Sequence, residues 1–233
     1  MKEISYSFFT YNIIKQNGEE WIRESFDSIK NQSDDIIVVD CNSDDNIKEI
    51  AEEYGFRFFR IIEKNLRFHD AKMFNKAVYE SKYDLFVPVT PDAIFDKDLS
   101  DFILEWFEKY GFRKYILFIY YLNQIQDKTI KSISGFSGVF YKPLLYKIRG
   151  CDERTYIRGG SQKGAHRYTK RIMLEVYCLK PFYTILENIH RYHPVRRFSS
   201  TSKVLSNFTS TDMIESLKEN FNEGVKTVVN SYF

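Results

Sequence analysis

Four short stretches gather the side chains best able to do chemistry: Thr10-Tyr11-Asn12, Asp40-Cys41-Asn42-Ser43-Asp44-Asp45, His69-Asp70-Ala71-Lys72 with Asn75, and Thr90-Pro91-Asp92. The first, second and fourth lie at the ends of short apolar runs. Carboxylates at two such ends can accept nucleoside N–H and hydroxyl donors and hold a hard divalent cation. A plainer assignment is open as well, in which Asp40 and Asp45 form a turn and cap the next helix.

The elements that must position these residues follow from hydrophobic spacing. Ile4 to Thr10, Ile36 to Val39, Phe56 to Ile62 and Leu85 to Val89 read as strands. Helices are expected over Glu19 to Lys30, Ile47 to Tyr54 with Asp44 or Asp45 as cap, and Ala71 to Ser81. Strands alternating with helices predict an α/β fold with a mostly parallel central sheet flanked by helices. Ligands of such sheets bind beyond the carboxyl ends of the strands, where these stretches fall. Farther along, Leu99 to Tyr110 reads as a helix, Lys114 to Ile125 as a long strand, and Ile130 to Tyr141 as a strand pair broken by Gly135 and Gly138. A C-terminal helix is expected from Ser210, capped by Thr211 or Asp212, with Ile214, Leu217, Phe221, Val225 and Val228 in one stripe. That stripe suits docking on the domain or peripheral contact with a membrane or partner. The domain is assigned to 1–205, with halves at about 1–100 and 101–205, and the tail to 206–233.

The strings Phe8-Phe9-Thr10-Tyr11-Asn12, Ser28-Ile29-Lys30-Asn31-Gln32 and Ile36 to Asp45 resemble the start of family 2 glycosyltransferases of the GT-A fold. The likeness continues through Asn75-Lys76-Ala77, similar to N-x-[GA], and Tyr83 to Asp92, where that family carries D-x-D. The resemblance implies a nucleotide-sugar donor, UDP- or GDP-linked. It implies a nucleotide-binding set of Thr10, Tyr11, Asn12, Asp40, Asn42, Asp45, Lys72 and Thr90, with Asp40 accepting the base N–H. It further implies that Asp92, matching the last acid of D-x-D, binds Mn²⁺ or Mg²⁺, which neutralises the leaving diphosphate.

The departures from the pattern are specific. Cys41 and Asn42 replace Asp-Gly, and Thr90 replaces the first acid of D-x-D, which leaves one carboxylate there. Members of the fold often bring a late histidine to the metal, so His190 and His193 are candidates; a solvated basic loop is the alternative. Arg196 and Arg197 can clamp the diphosphate or an anionic acceptor such as a lipid phosphate. Where the family carries its catalytic Asp, this chain reads Arg158 to Arg171 without a suitable carboxylate. His166 has the right intrinsic pKa for a general base. Asp152 and Glu153, in a Gly-Cys-Asp-Glu segment similar to G-F-D-E, are the alternatives, and His166 is open to a surface role.

Composition narrows the classes. With 34 Lys and Arg against 32 Asp and Glu in 233 residues, the net charge is +2, which disfavours nucleic acid as a partner. Three cysteines without paired spacing signal neither a disulfide framework nor a zinc site. The N-terminus lacks a basic segment followed by a long apolar core, so a cytoplasmic protein is expected. Aromatics reach 17%, with 21 Phe and 17 Tyr, and most are assigned to core, with some available to stack on sugar faces. The acceptor stays open between a glycan, a lipid-linked molecule and a protein. A non-catalytic nucleotide- or glycan-binding module is the competing function.

Overall fold

The computed structural model describes residues 2–62, 70–111, 115–124, 130–147, 150 and 180–191. Along the chain these form β1 (Ile4–Thr10), α1 (Ile13–Asn17), α2 (Glu19–Ile29), β2 (Asp35–Asp40), α3 (Ile47–Glu53), β3 (Arg57–Arg60) and α4 (Asp70–Glu80). There follow β4 (Leu85–Val89), β5 (Ala93–Ile94), α5 (Leu99–Tyr110), β6 (Tyr115–Gln124), β7 (Ile130–Tyr141), α6 (Lys142–Lys147) and β8 (Lys180–Arg191).

Residues of β1, β2 and β4 are buried throughout, because helices cover both faces of the sheet. The two-residue period of a strand divides their side chains between two cores. Ile4, Tyr6, Phe8, Ile36, Val38, Leu85, Val87 and Val89 pack against α2, α3 and α5, whose Phe26, Ile50, Ile103 and Trp106 face them. Phe9, Ile37, Val39 and Phe86 join Met73, Phe74 and Ala77 of α4 on the other face. Aromatic side chains centre both cores. Phe26 lies 4.9 Å from Phe8 and 4.8 Å from Phe56, while Phe74 lies 5.3 Å from Phe86 and 5.4 Å from Phe140. Full burial of one such ring contributes roughly 1.5–3 kcal/mol.

Among the described residues the strands form one sheet in the order β3-β2-β1-β4-β7-β6-β8-β5. The pairs β1/β2, β2/β3, β1/β4 and β6/β8 are parallel, and β4/β7, β6/β7 and β5/β8 antiparallel. The expected parallel sheet is therefore the first half of the molecule, with a mixed extension in the second. Strand order reverses between β1 and β4, since β2 and β3 lie to one side of β1 and β4 to the other. That reversal opens a crevice above the carboxyl ends of β1 and β4. Along β4, Leu85 and Phe86 pair with β7, and Pro88 is the register partner of Ser7 on β1.

Several boundaries differ from the sequence reading. Residues 130–141 form one strand rather than two, and Gly138 is paired with Phe118 instead of breaking the ladder. A Cβ at Gly138 would stand 2.9 Å from the Phe140 ring and 3.3 Å from Phe118, so the glycine lets two rings close over the backbone. Helix α3 starts from Asn46, whose own side chain makes no cap bond, and Asp45 reaches the helix only at Ile47 N–H, 3.4 Å away. Helix α1 and strand β8 are additional elements, one too short and the other too polar at its end to carry a periodic signal. The C-terminal helix assigned from Ser210 lies outside the described residues. Within them, no helix is long and apolar enough to cross a membrane.

Candidate functional site at the carboxyl ends of the first strands

Thr10 and Asp40 close β1 and β2 and are partners in the parallel ladder. Their juxtaposition makes a polar hub inside an apolar sheet. Asp40 is fully buried. The Thr10 hydroxyl donates to Asp40 Oδ1 at 3.0 Å, and the Ser43 hydroxyl donates to the same oxygen. Oδ2 accepts the Ser43 backbone N–H at 2.9 Å and Arg60 Nε–H at 3.2 Å. A buried carboxylate demands such company, because an unpaired charge there would cost several kcal/mol.

The hub organises the loops around it. Asn12 N–H donates to Ser43 Oγ at 2.7 Å, and Asn12 Oδ1 accepts from the Asp44 backbone at 3.0 Å. Asn12 and Asn42 both take left-handed backbone conformations, φ 48° and 57°, which asparagine tolerates better than most residues. Asp45 Oδ2 accepts Ile14 N–H at 2.9 Å, so this carboxylate serves the start of α1 and reaches α3 by a longer 3.4 Å contact with Ile47 N–H. Lys15 lies 2.6 Å from Asp44 and holds its carboxyl below the usual range through their hydrogen bond. The loops after β1 and β2 are thus stitched into one surface.

Three strand positions from β3, the end of β4 carries Thr90, whose hydroxyl donates to Asp92 Oδ1. Asp92 is nearly buried. A hydroxyl occupying the first acid's place therefore braces the remaining acid. Strand β5 follows at once, and its Ala93 is the register partner of His190 on β8. The backbone at His190 thus runs beside the residue that follows Asp92. No three His, Cys, Asp or Glu side chains converge among the described residues. A Mg²⁺-like ion needs only one or two carboxylates when phosphates and water complete its shell. Asp92 meets that minimum, and the residues fit such an ion.

Lys72 lies on α4, half-buried, one turn before Asn75. Asn75 packs against Gly150, where any Cβ would collide with its side-chain oxygen. Of the sequence candidates, Thr10, Tyr11, Asn12, Asp40, Asn42 and Asp45 meet around the first two strand ends, with Thr90 and Asp92 across the crevice. His166, Asp152, Glu153, His193, Arg196 and Arg197 lie outside the described residues. Sequence reasoning gave Ser43 no role of its own and passed over Arg60. Ser43 had a signal, three residues after Asp40 in a turn-rich string; Arg60 becomes visible only once the β2/β3 register is known.

The model of Glycosyl transferase family 2 matches residues 10–172, well over half of the chain. The chain belongs to glycosyltransferase family 2. Among curated protein sequences, none matches it. Solved structures share the fold. S. aureus TarS 1-349 in complex with UDP is 14% identical with a TM-score of 0.56, over 81% of this chain and 61% of that one. The mannosyltransferase PcManGT from Pyrobaculum calidifontis, in complex with GDP-Man and Mn²⁺, is 15% identical with a TM-score of 0.57, over 83% and 58%. A cytidylyltransferase from Leptospira borgpetersenii is 16% identical with a TM-score of 0.55, over 95% and 96%. This family 2 chain therefore spans about three fifths of the TarS 1-349 and PcManGT chains and has the GT-A type of α/β fold.

Proposed function

We propose that the chain transfers a sugar from a UDP- or GDP-sugar to an acceptor hydroxyl on a glycan, a lipid-linked molecule or a protein. The observation that carries this reading is the pairing, across one strand-order reversal, of a hydroxyl-and-carboxylate hub at Thr10 and Asp40 with a braced carboxylate at Asp92. The family match supports the transferase class, and neighbours bound to UDP and GDP-Man support a nucleotide-sugar donor.

In this reading Thr10, Tyr11, Asn12, Asp40, Asn42 and Asp45 build the nucleoside end, and Lys72 and Thr90 flank the donor. Asp92, with His190 and His193 as candidate partners, would hold Mn²⁺ or Mg²⁺. Bound there, the ion supplies Lewis-acid neutralisation of the diphosphate. The acceptor oxygen attacks the anomeric carbon as the bond to the diphosphate oxygen breaks. His166, Asp152 or Glu153 takes the acceptor proton, and direct displacement inverts the configuration. Arg196 and Arg197 would clamp the diphosphate or an anionic acceptor. The cytoplasm suits such a donor.

A competing reading is a nucleotide- or glycan-binding module without turnover, favoured by the single carboxylate left at Asp92. Release of nucleoside diphosphate from UDP- and GDP-sugars, with and without Mn²⁺, separates the two. Asp92→Ala is expected to abolish release while leaving the fold intact by circular dichroism. Unchanged turnover in that variant would sink the role of Asp92; nucleotide binding with no release under any condition would favour the module.

A further inference from the structure

Asp40 has no acceptor capacity to spare. Its two oxygens offer about four lone-pair sites, and four donors occupy them: the hydroxyls of Thr10 and Ser43, the Ser43 backbone N–H, and Arg60 Nε–H. A ligand N–H reaches this carboxylate only by displacing one of them. Three belong to the rigid loop and strand ends and hold Asp40 at 2.9–3.0 Å or closer. The fourth, from Arg60, is the longest at 3.2 Å and comes from a side chain one third exposed.

Arg60 differs from the other arginine on its strand. Arg57, at the opposite end of β3, spends Nε and Nη2 on Asp35 and shares Nη2 with the Glu80 carbonyl. Arg60 commits Nε alone among the described residues, with its guanidinium carbon 5.4 Å from the Phe58 ring centre. The rest of its fork stands at the carboxyl end of the sheet, where ligands of this fold class bind. From β3 to β4 is three strand spacings, about 14 Å. An extended nucleoside diphosphate with its phosphates near Asp92 would span that distance and bring its base to Arg60.

We infer that Arg60 is a specificity-determining residue that reads the base. In the free protein it covers Asp40. On binding, the guanidinium moves to a base carbonyl oxygen, and the adjacent ring N–H takes the vacated site on Asp40 Oδ2. The exchange conserves hydrogen bonds only for bases with a carbonyl beside a ring N–H, as in uracil and guanine. Cytosine and adenine present an exocyclic amino donor where the carbonyl should be, so donor meets donor.

The inference rests on the nucleotide-sugar reading, and calorimetry with UDP, GDP, CDP and ADP separates the two. Wild type is expected to bind UDP or GDP about 10- to 100-fold more tightly than CDP and ADP, the worth of one charged hydrogen bond. Arg60→Gln should bring that ratio towards one, while Arg60→Lys, which keeps the countercharge on Asp40 without the fork, falls between. Melting curves identify any variant that fails to fold, and Arg60→Lys serves if Arg60→Gln does. An unchanged ratio, or equal weakening of all four nucleotides, overturns the role of Arg60 and leaves nucleotide binding standing. No binding of any nucleotide by wild type overturns both.

Discussion

At the scale of single residues, Asp40 is a buried charge defined by its donors. In Asp40→Asn one carbonyl oxygen must replace two carboxylate oxygens, and an NH₂ group faces donors that expected an acceptor. The expected loss is about 1–3 kcal/mol for orphaned buried donors, read from urea unfolding at neutral pH. Thr10→Val removes one donor of four and keeps the side-chain shape, so its cost should stay near ~1 kcal/mol. Equal losses in the two variants would mean that Asp40 is not the organising group. Much of this cluster was legible beforehand, because Thr10, Asn12, Asp40 and Asp45 are polar residues closing apolar runs. Arg60 was not, since its meaning depends on which strand neighbours β2. Nor was the division of labour: Asp45 serves the start of α1 first and reaches α3 only by its longer contact with Ile47 N–H.

At the scale of elements, the strands of the parallel half announce themselves as apolar runs, and the amphipathic helices α2, α4 and α5 by their period. What the pattern missed was decided by tertiary partners. Strand β3 is shorter than its apolar run because its ladder with β2 covers Arg57 to Arg60 only, and β8 exists by pairing with β6 and β5. The junction of α6 with α4 offers a test. Gly150 has φ 70° and donates its N–H to the Leu145 carbonyl at 2.9 Å, ending α6 while pressed against Asn75. Gly150→Ala adds both a left-handed penalty and a collision, and should cost about 1–3 kcal/mol. In the Asn75→Ala background the collision disappears and the backbone penalty remains. The double-mutant cycle should therefore show a favourable coupling in chemical denaturation. Strict additivity would mean that Gly150 is not seated on α4 through Asn75.

At the scale of the whole molecule, the near balance of charge conceals local pairs whose contribution depends on pH. Hydrogen bonds from Arg23, Lys30, Tyr83 and Lys15 hold Glu19, Asp27, Asp34 and Asp44 below their ordinary values. Carboxylates with lowered folded values stabilise above the unfolded value, near pH 4, and lose that contribution as pH falls through the folded one. The Asp34–Tyr83 pair has an alkaline limit as well. Tyr83 donates to Asp34 Oδ1 at 2.6 Å, and this bond pushes the Tyr83 phenol up to about 12. A raised folded value contributes below the unfolded one, near 10, and is lost as pH rises through the folded one. The bond therefore needs an ionised Asp34 and a protonated Tyr83, and it contributes between those limits. Urea midpoints should be flat across neutral pH and fall below about pH 4, less steeply in high salt because these pairs are exposed. Tyrosinate absorbance should show Tyr83 titrating late beside phenols that burial raises, Tyr54 and Tyr146 among them, and Tyr83→Phe should reduce the late amplitude by one phenol. A midpoint falling already near pH 6, or a late amplitude unchanged in Tyr83→Phe, would contradict this account of how the surface pairs respond to pH.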